Sequence, residues 1–311
     1  MIHSTQLKLK SAAKAAGAVI ISATLMTLAA CGGTSHGANT DSQSASSPNG
    51  KLTVVASINQ WASVAKDLGS DNVNVTSILS NTNAEAHEYE PTTADIAKFS
   101  QADIIVVNGA DYDSWAVKAA KSTHATVVDA AEVAGKKDGD NPHVWFSADV
   151  RAKTANAITA AYTSADSNHA HEYAELNTQW QSKESALEDK IAQTSQTTKD
   201  MPYAATESVA WYLADDLKMV DKTPQGYAQA SANESEPTPA DIRDFQTALG
   251  DGSVSVLVYN SQESDATTQQ LVDAASAANV PIVKLTEQMP STYSSLIDWM
   301  DALVDDFAKI Q

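Results

Sequence analysis

A single cysteine, Cys31, stands in a chain of 311 residues, so no disulfide can form within a monomer. Positive charge is scarce. Lysine and arginine together number 20 against 39 acids, for a net charge of −19, and only Arg151 and Arg243 are arginines. Nucleic acid and anionic lipid are poor partners for such a surface, which suits solubility and mildly concentrates cations. Beyond the first thirty residues the chain has no apolar run of membrane-spanning length. It also lacks a His-Glu-x-x-His pair, a Gly-x-Ser-x-Gly elbow and a glycine-rich nucleotide loop, which removes the usual signatures of zinc proteases, serine hydrolases and nucleotide-binding enzymes.

What is present begins with an address. Residues 1–30 carry Lys8, Lys10 and Lys14, no acid, and an apolar stretch from Ala15 to Ala30, the composition of a signal peptide. The stretch ends in Leu28-Ala29-Ala30-Cys31-Gly32, which resembles the bacterial lipobox. That resemblance implies a diacylglyceryl group on Cys31 and cleavage before it, leaving the protein lipid-anchored on the outer face of the cell membrane. Removal of residues 1–30 takes away three lysines and no acid, so the charge of −19 becomes −22. Residues 31–50 are mostly Ser, Asn, Gly, Thr and Ala and read as a flexible tether.

The remainder alternates short β-rich runs with helical stretches. The runs are Leu52–Ile58, Val73–Leu79, Asp103–Val107 and Thr126–Val128, then Tyr203–Thr206, Val254–Tyr259 and Pro281–Leu285. Such alternation predicts α/β architecture with mainly parallel sheets. Between the two groups, Ser147 is positioned to cap a helix with Asp149 in its first turn. From Asp166 to about Gln196 there is neither Gly nor Pro, and Tyr173, Leu176, Trp180, Leu187 and Ile191 recur at helical spacing. At 1.5 Å per residue this helix runs on the order of 45 Å, the length of a strut between two lobes. Its charged residues, Glu175, Lys183, Glu184, Glu188 and Lys190, read as a solvated face. The expected division is an N-terminal lobe over 51–147, a helical connector over 148–198 and a C-terminal lobe over 199–311.

Ligands of open parallel sheets bind beyond the carboxyl ends of the strands. Four residues with donor side chains meet that condition: His87 after the second run, His143 after the fourth, Glu207 after the fifth and Asn260 after the sixth. Imidazole nitrogen and carboxylate oxygen are donors that Zn²⁺ accepts and Mn²⁺ tolerates. His3, His36, His124, His169 and His171 read as surface or leader residues.

The surrounding motifs are more specific than the residues alone. His87-Glu88-Tyr89-Glu90-Pro91-Thr92-Thr93-Ala94-Asp95, the stretch Ala102–Ala110 with Asn108-Gly109 and ending at Trp115, Asn141-Pro142-His143-Val144-Trp145, Thr206-Glu207-Ser208 and Glu236-Pro237-Thr238 follow one another in order. Together they resemble the zinc- and manganese-binding subgroup of ABC-transporter solute-binding lipoproteins, from about Lys51 to the C-terminus. The resemblance implies two β/α lobes joined by one long backbone helix, with one divalent transition metal ion (Zn²⁺ or Mn²⁺) as cargo in the cleft between them. His87, His143 and Glu207 carry over as ligands. Members usually present an aspartate at the fourth position, where this chain has Asn260; Glu263, Asp265 or water could fill the place instead. The implied partners are the permease and ATPase of an ABC importer, with the protein monomeric and extracytoplasmic. A metal-dependent hydrolase and a surface adhesin on the same fold are the competing expectations. No histidine occurs in Gly135–Asp140, where many zinc-selective relatives carry a His-rich loop.

Overall fold

A computed structural model describes residues 50–80, 82 and 89–310, all within one compact unit. The segment holding His87, the leader, Cys31 and most of the tether lie outside the described residues.

In the first half, β1 (Leu52–Ile58), β2 (Val73–Leu79), β3 (Ile104–Val107) and β4 (Thr126–Asp129) form a sheet of order β2-β1-β3-β4, all parallel. They alternate with α1 (Asn59–Gly69), α2 (Thr93–Ser100), α3 (Ser114–Ala120) and α4 (Ala130–Val133). Two long helices follow, α5 (Ala148–Ala165) and α6 (Ala170–Thr198), packed against each other. The second half repeats the first sheet's topology with β5 (Pro202–Ala205), β6 (Val220–Asp221), β7 (Val256–Asn260) and β8 (Ile282–Leu285) in the order β6-β5-β7-β8, again parallel. Its helices are α7 (Trp211–Asp216), α8 (Gln225–Ala232), α9 (Pro239–Gly250), α10 (Ala266–Ala277) and α11 (Leu296–Ala308). The α/β architecture with two parallel sheets and one long helix is therefore as expected. The two-residue strand β6 carries no apolar run of its own, which is why the sequence does not announce it.

The central strands of both sheets, β1 and β3 and then β5 and β7, are buried on two faces, and the period-two alternation of strands decides which residue faces which layer. Val54, Ala56 and Ile58 enter one core with Ile104 and Val106, while Val55 faces Phe99, Ile105 and Val107 on the other side. The same alternation sends Val256 and Val258 one way and Leu257 and Tyr259 the other. The largest core is continuous across both halves and contains Trp61, Trp145, Phe146, Trp180 and Trp299.

The last helix does not stay with the second sheet. The apolar face of α11, built on Leu296, Trp299, Met300, Leu303, Val304 and Phe307, packs against α6 and α1. The chain thus returns to the first half after β8. Helix α6 begins at Ala170 and not at Asp166, and its charged residues are not all a solvated face: Lys190 pairs with Asp301 and Asp305 of α11, and Glu184 is buried and bonds Arg151 of α5, with Arg151 Nη2 to Glu184 Oε1 at 2.6 Å and Nε to both carboxylate oxygens. Two of the longest polar side chains can share this apolar seam because each neutralises the other and satisfies its hydrogen bonds. Ser147 does occupy the N-cap position of α5, but its side chain makes no capping bond. Among the described residues no helix is long and apolar enough to cross a membrane.

Candidate metal centre

His143 is built into the first half by the Asn108-Gly109 turn at the end of β3. Asn108 Oδ1 accepts from Trp61 Nε1 (3.0 Å), and its Nδ2 donates to Pro142 O (2.8 Å), the carbonyl preceding His143. Gly109 has φ of +76°, and a Cβ there would come within 2.1 Å of Asp129 Oδ1, so the turn requires glycine. The buried carboxylate of Asp113 closes it by accepting from the Asn108 and Gly109 N–H groups (2.7 and 2.9 Å), and burial pushes Asp113 up to about 6.

The imidazole of His143 is 2% exposed and packs edge-on to Tyr112 and Trp145. Asn141 Oδ1 accepts the His143 N–H and lies 3.0 Å from Nδ1, while Asn141 Nδ2 donates to Ser208 O and Oγ across the cleft. Because Asn141 presents its carbonyl oxygen, Nδ1 carries a hydrogen and Nε2 is the ring nitrogen directed into the cleft. Nε2 lies 3.4 Å from Glu207 Oε1.

Glu207 stands two residues beyond the last paired residue of β5, Ala205, and Glu287 two residues beyond the last of β8, Leu285. Donor atoms of His143, Glu207 and Glu287 all lie within 4.8 Å of one another. A tetrahedral ion with bonds of about 2.1 Å holds its donors about 3.4 Å apart, so a small contraction brings these three onto one cation. Residues 54–310 match the family model of ZnuA, zinc-uptake complex component A, periplasmic.

The chain belongs to that family. The high-affinity zinc uptake system protein ZnuA of Bacillus subtilis is 24% identical over 267 residues, 79% of this chain and 81% of that protein. The manganese ABC transporter substrate-binding lipoprotein PsaA of Streptococcus mitis is 25% identical over 253 residues, 75% of this chain and 78% of that protein. In fold, the periplasmic zinc-binding protein TroA from Treponema pallidum superposes with a TM-score of 0.72 at 17% identity, covering 84% of this chain and 99% of that one. These relatives are transport proteins and not enzymes, and a hydrolase has no support among them.

Beside these three donors, Asn260 sits between the two carboxylates. Its Nδ2 donates to Glu207 Oε2 (2.6 Å) and Glu287 Oε1 (3.1 Å), and its Oδ1 accepts from the Gln262 N–H (3.0 Å). The amide oxygen is thereby turned away from the carboxylates. Two acids follow Asn260 in the chain, Glu263 and Asp265. Asp265 caps α10 by accepting from Thr268 N–H (2.6 Å), while Glu263 lines the cleft.

Glu287 is a donor that the sequence motifs do not single out. It satisfies the rule that selected Glu207, a donor just past a β-rich run, because the last run ends at Leu285.

His87 itself lies outside the described residues, but the end of its motif, from Tyr89 on, is described. Asp95 Oδ2 accepts from Tyr89 Oη (2.8 Å), Thr92 Oγ1 (2.6 Å) and the Thr92 N–H (3.0 Å), and Thr92 Oγ1 caps the Asp95 N–H of α2. The Tyr89 ring in turn packs on Trp115. The Tyr-x-Pro-Thr-x-x-Asp motif is therefore a reciprocal capping box with a tyrosine added, and the Thr92 hydroxyl holds the Asp95 carboxyl well below the usual carboxylate range.

Above the centre opens a cleft of about 890 Å³ whose lining includes Asp111, Asp140, Glu234, Glu236, Glu263 and Asp265 and, among the described residues, no lysine or arginine. Burial and the nearby acids Asp265, Glu207 and Glu263 push the Tyr227 phenol above its ordinary value, so it faces this cleft protonated.

Proposed function

We propose that the protein captures one divalent transition metal ion, Zn²⁺ or Mn²⁺, from outside the cell membrane and hands it to the permease and ATPase of an ABC importer. The observation that carries this reading is the convergence of His143, Glu207 and Glu287 at the floor of an acidic cleft between parallel sheets. His143 Nε2 and one oxygen from each carboxylate are the donors, and His87 is the fourth. Asn260 orients Glu207 and Glu287 instead of binding the ion. A site with two carboxylates and two imidazoles neutralises the charge of the cation, so the missing charge at Asn260 is restored by Glu287.

The acidic walls of the cleft raise the local cation concentration and disfavour anions. In this reading two lobes, residues 51–147 and 199–311, flank a connector over 148–198, with the last helix of the second packed back on α6 and α1. By the same reading the chain is held at the membrane by lipid on Cys31 and acts as a monomer. Support for the carrier role comes from the family and from the relatives' names, zinc-uptake and manganese substrate-binding proteins of ABC transporters.

The test is elemental analysis of protein purified without added metal, followed by Zn²⁺ and Mn²⁺ competition in wild type, His143→Ala and Glu287→Ala. Stoichiometric metal in wild type and losses of about a hundredfold or more in each variant are expected. Wild-type affinity in both variants would exclude this site.

A further inference from the structure

Glu287 lies where the chain changes sides. Up to Leu285 it belongs to the second sheet, and the Leu285 carbonyl accepts from Ser261 N–H and Oγ (2.8 and 2.9 Å). Two residues on, its attachments are to the first half. Glu287 O accepts from Gln60 Nε2 (2.6 Å), Met289 exchanges two hydrogen bonds with the Asn59 side chain (2.7 and 3.1 Å), and Leu296 N–H donates to Ser63 Oγ (3.0 Å). All three partners are on α1.

The side chain follows the backbone. Tyr112 Oη, in the turn after β3, donates to Glu287 Oε2 (2.8 Å) and accepts from Gln288 Nε2 (2.9 Å). Tyr112 is 1% exposed, and its ring packs on His143 and Trp145. One buried phenol therefore touches two proposed donors at once. The bonds from this segment to the second sheet include those from Asn260 Nδ2 to Glu287 and from the Gln288 N–H to Gln262 Oε1 (3.1 and 3.0 Å).

We propose that Tyr112 is a positioning residue that makes Glu287 a donor of the first half of the molecule, held beside His143, so that the second sheet closes on the metal through Glu207 alone. The inference rests on the metal-binding reading above. A hydrogen bond from a buried hydroxyl fixes a carboxylate's rotamer and leaves its remaining lone pairs aimed at the ion, and loss of such a partner costs ten- to a hundredfold in metal affinity in characterised sites. Since strand ends and packed helices move as units, the joint lies at Thr286, between the last β8 pair and the α1 anchors.

A double-mutant cycle on the mature protein, with Zn²⁺ affinity and the visible bands of bound Co²⁺ as readouts, tests this. Tyr112→Phe is expected to weaken Zn²⁺ by about tenfold or more and to shift the Co²⁺ spectrum. With Glu287→Gln already in place it should change affinity by less than about twofold; with Glu207→Gln the full loss should persist. Gln288→Met, which keeps the Tyr112 ring in place, should give a smaller loss that disappears on the Tyr112→Phe background. In hydrogen exchange the Met289 amide should be equally protected with and without Zn²⁺, while the Gln262 amide gains protection on binding. An equal loss from Tyr112→Phe in all three backgrounds, no loss at all, or a Met289 amide that opens without metal would overturn the inference. Failure of wild type to bind Zn²⁺ or Co²⁺, or wild-type affinity in Glu287→Gln, would instead overturn the metal reading or the place of Glu287 in it, and this inference with it.

Discussion

Asn260 Nδ2 lies 2.6 Å from Glu207 Oε2 and 3.1 Å from Glu287 Oε1, so one neutral amide joins two carboxylates at the centre of the cleft. An aspartate there has no hydrogen to donate and adds a third negative charge. Asn260→Asp is therefore expected to weaken Zn²⁺ binding by about tenfold or more, and Asn260→Ala by less, because alanine removes the donor without adding repulsion. Competition titration against a chromophoric chelator measures both. Tighter binding by Asn260→Asp would mean that the amide is a substitute ligand and not a bridge.

The pair Arg151–Glu184 is buried on both sides, at 0 and 1% exposure. Removing one partner strands the other's charge, so Glu184→Ala is expected to cost about 3–5 kcal/mol in urea unfolding. Replacing both, as Arg151→Met with Glu184→Leu, should restore most of that loss. The Trp145 carbonyl, which accepts from Arg151 Nη1 (3.0 Å), then loses a donor two residues from His143, and a residual weakening of metal binding should remain.

The capping box at the start of α2 gives a prediction in acid. Asp95 has its carboxyl lowered chiefly by the Thr92 hydroxyl, so its contribution is complete above the ordinary carboxylate range near pH 4 and is lost as pH falls toward its own lower value. Thr92→Ala should cost about 1 kcal/mol at pH 7, and the gap from wild type should narrow below about pH 3. Thermal melts across that range read it.

Asp67 behaves in the opposite sense. Burial raises its carboxyl to about 6, with Asp298 of α11 adding repulsion and Lys183 of α6 partly offsetting it. The folded state then binds the proton more tightly than the unfolded chain, so a penalty is fully present above about pH 6 and disappears below about pH 4. Asp67→Asn is expected to raise stability at pH 7.5, by about 1 kcal/mol once solvent screening of this half-buried group is allowed for, and to have no effect at pH 4. A gain that is the same at both pH values would show that packing, not charge, was responsible.

Much of the fold is written locally. Short β-rich runs mark seven of the eight strands among the described residues, because a strand buried on both faces needs consecutive apolar neighbours. The motifs around Thr92, Asn108 and His143 encode caps and turns that need only a few consecutive residues. What local pattern cannot supply is the register between distant strands. In the ladder Asn260 pairs with Leu285, so it is still inside the sheet, whereas Glu287 lies two residues past the strand end, equally buried and within reach of His143. Both follow an apolar run and read alike in one dimension. Glu184 teaches the same point: its spacing from Trp180, Leu187 and Ile191 puts it on the buried stripe of α6, yet only the packing of α5 brings Arg151 there to make a carboxylate tolerable. Sequence determined which residues can donate to a cation and which elements carry them. Tertiary structure decided which of them meet, because desolvation and charge pairing are settled by neighbours that the chain brings from far away.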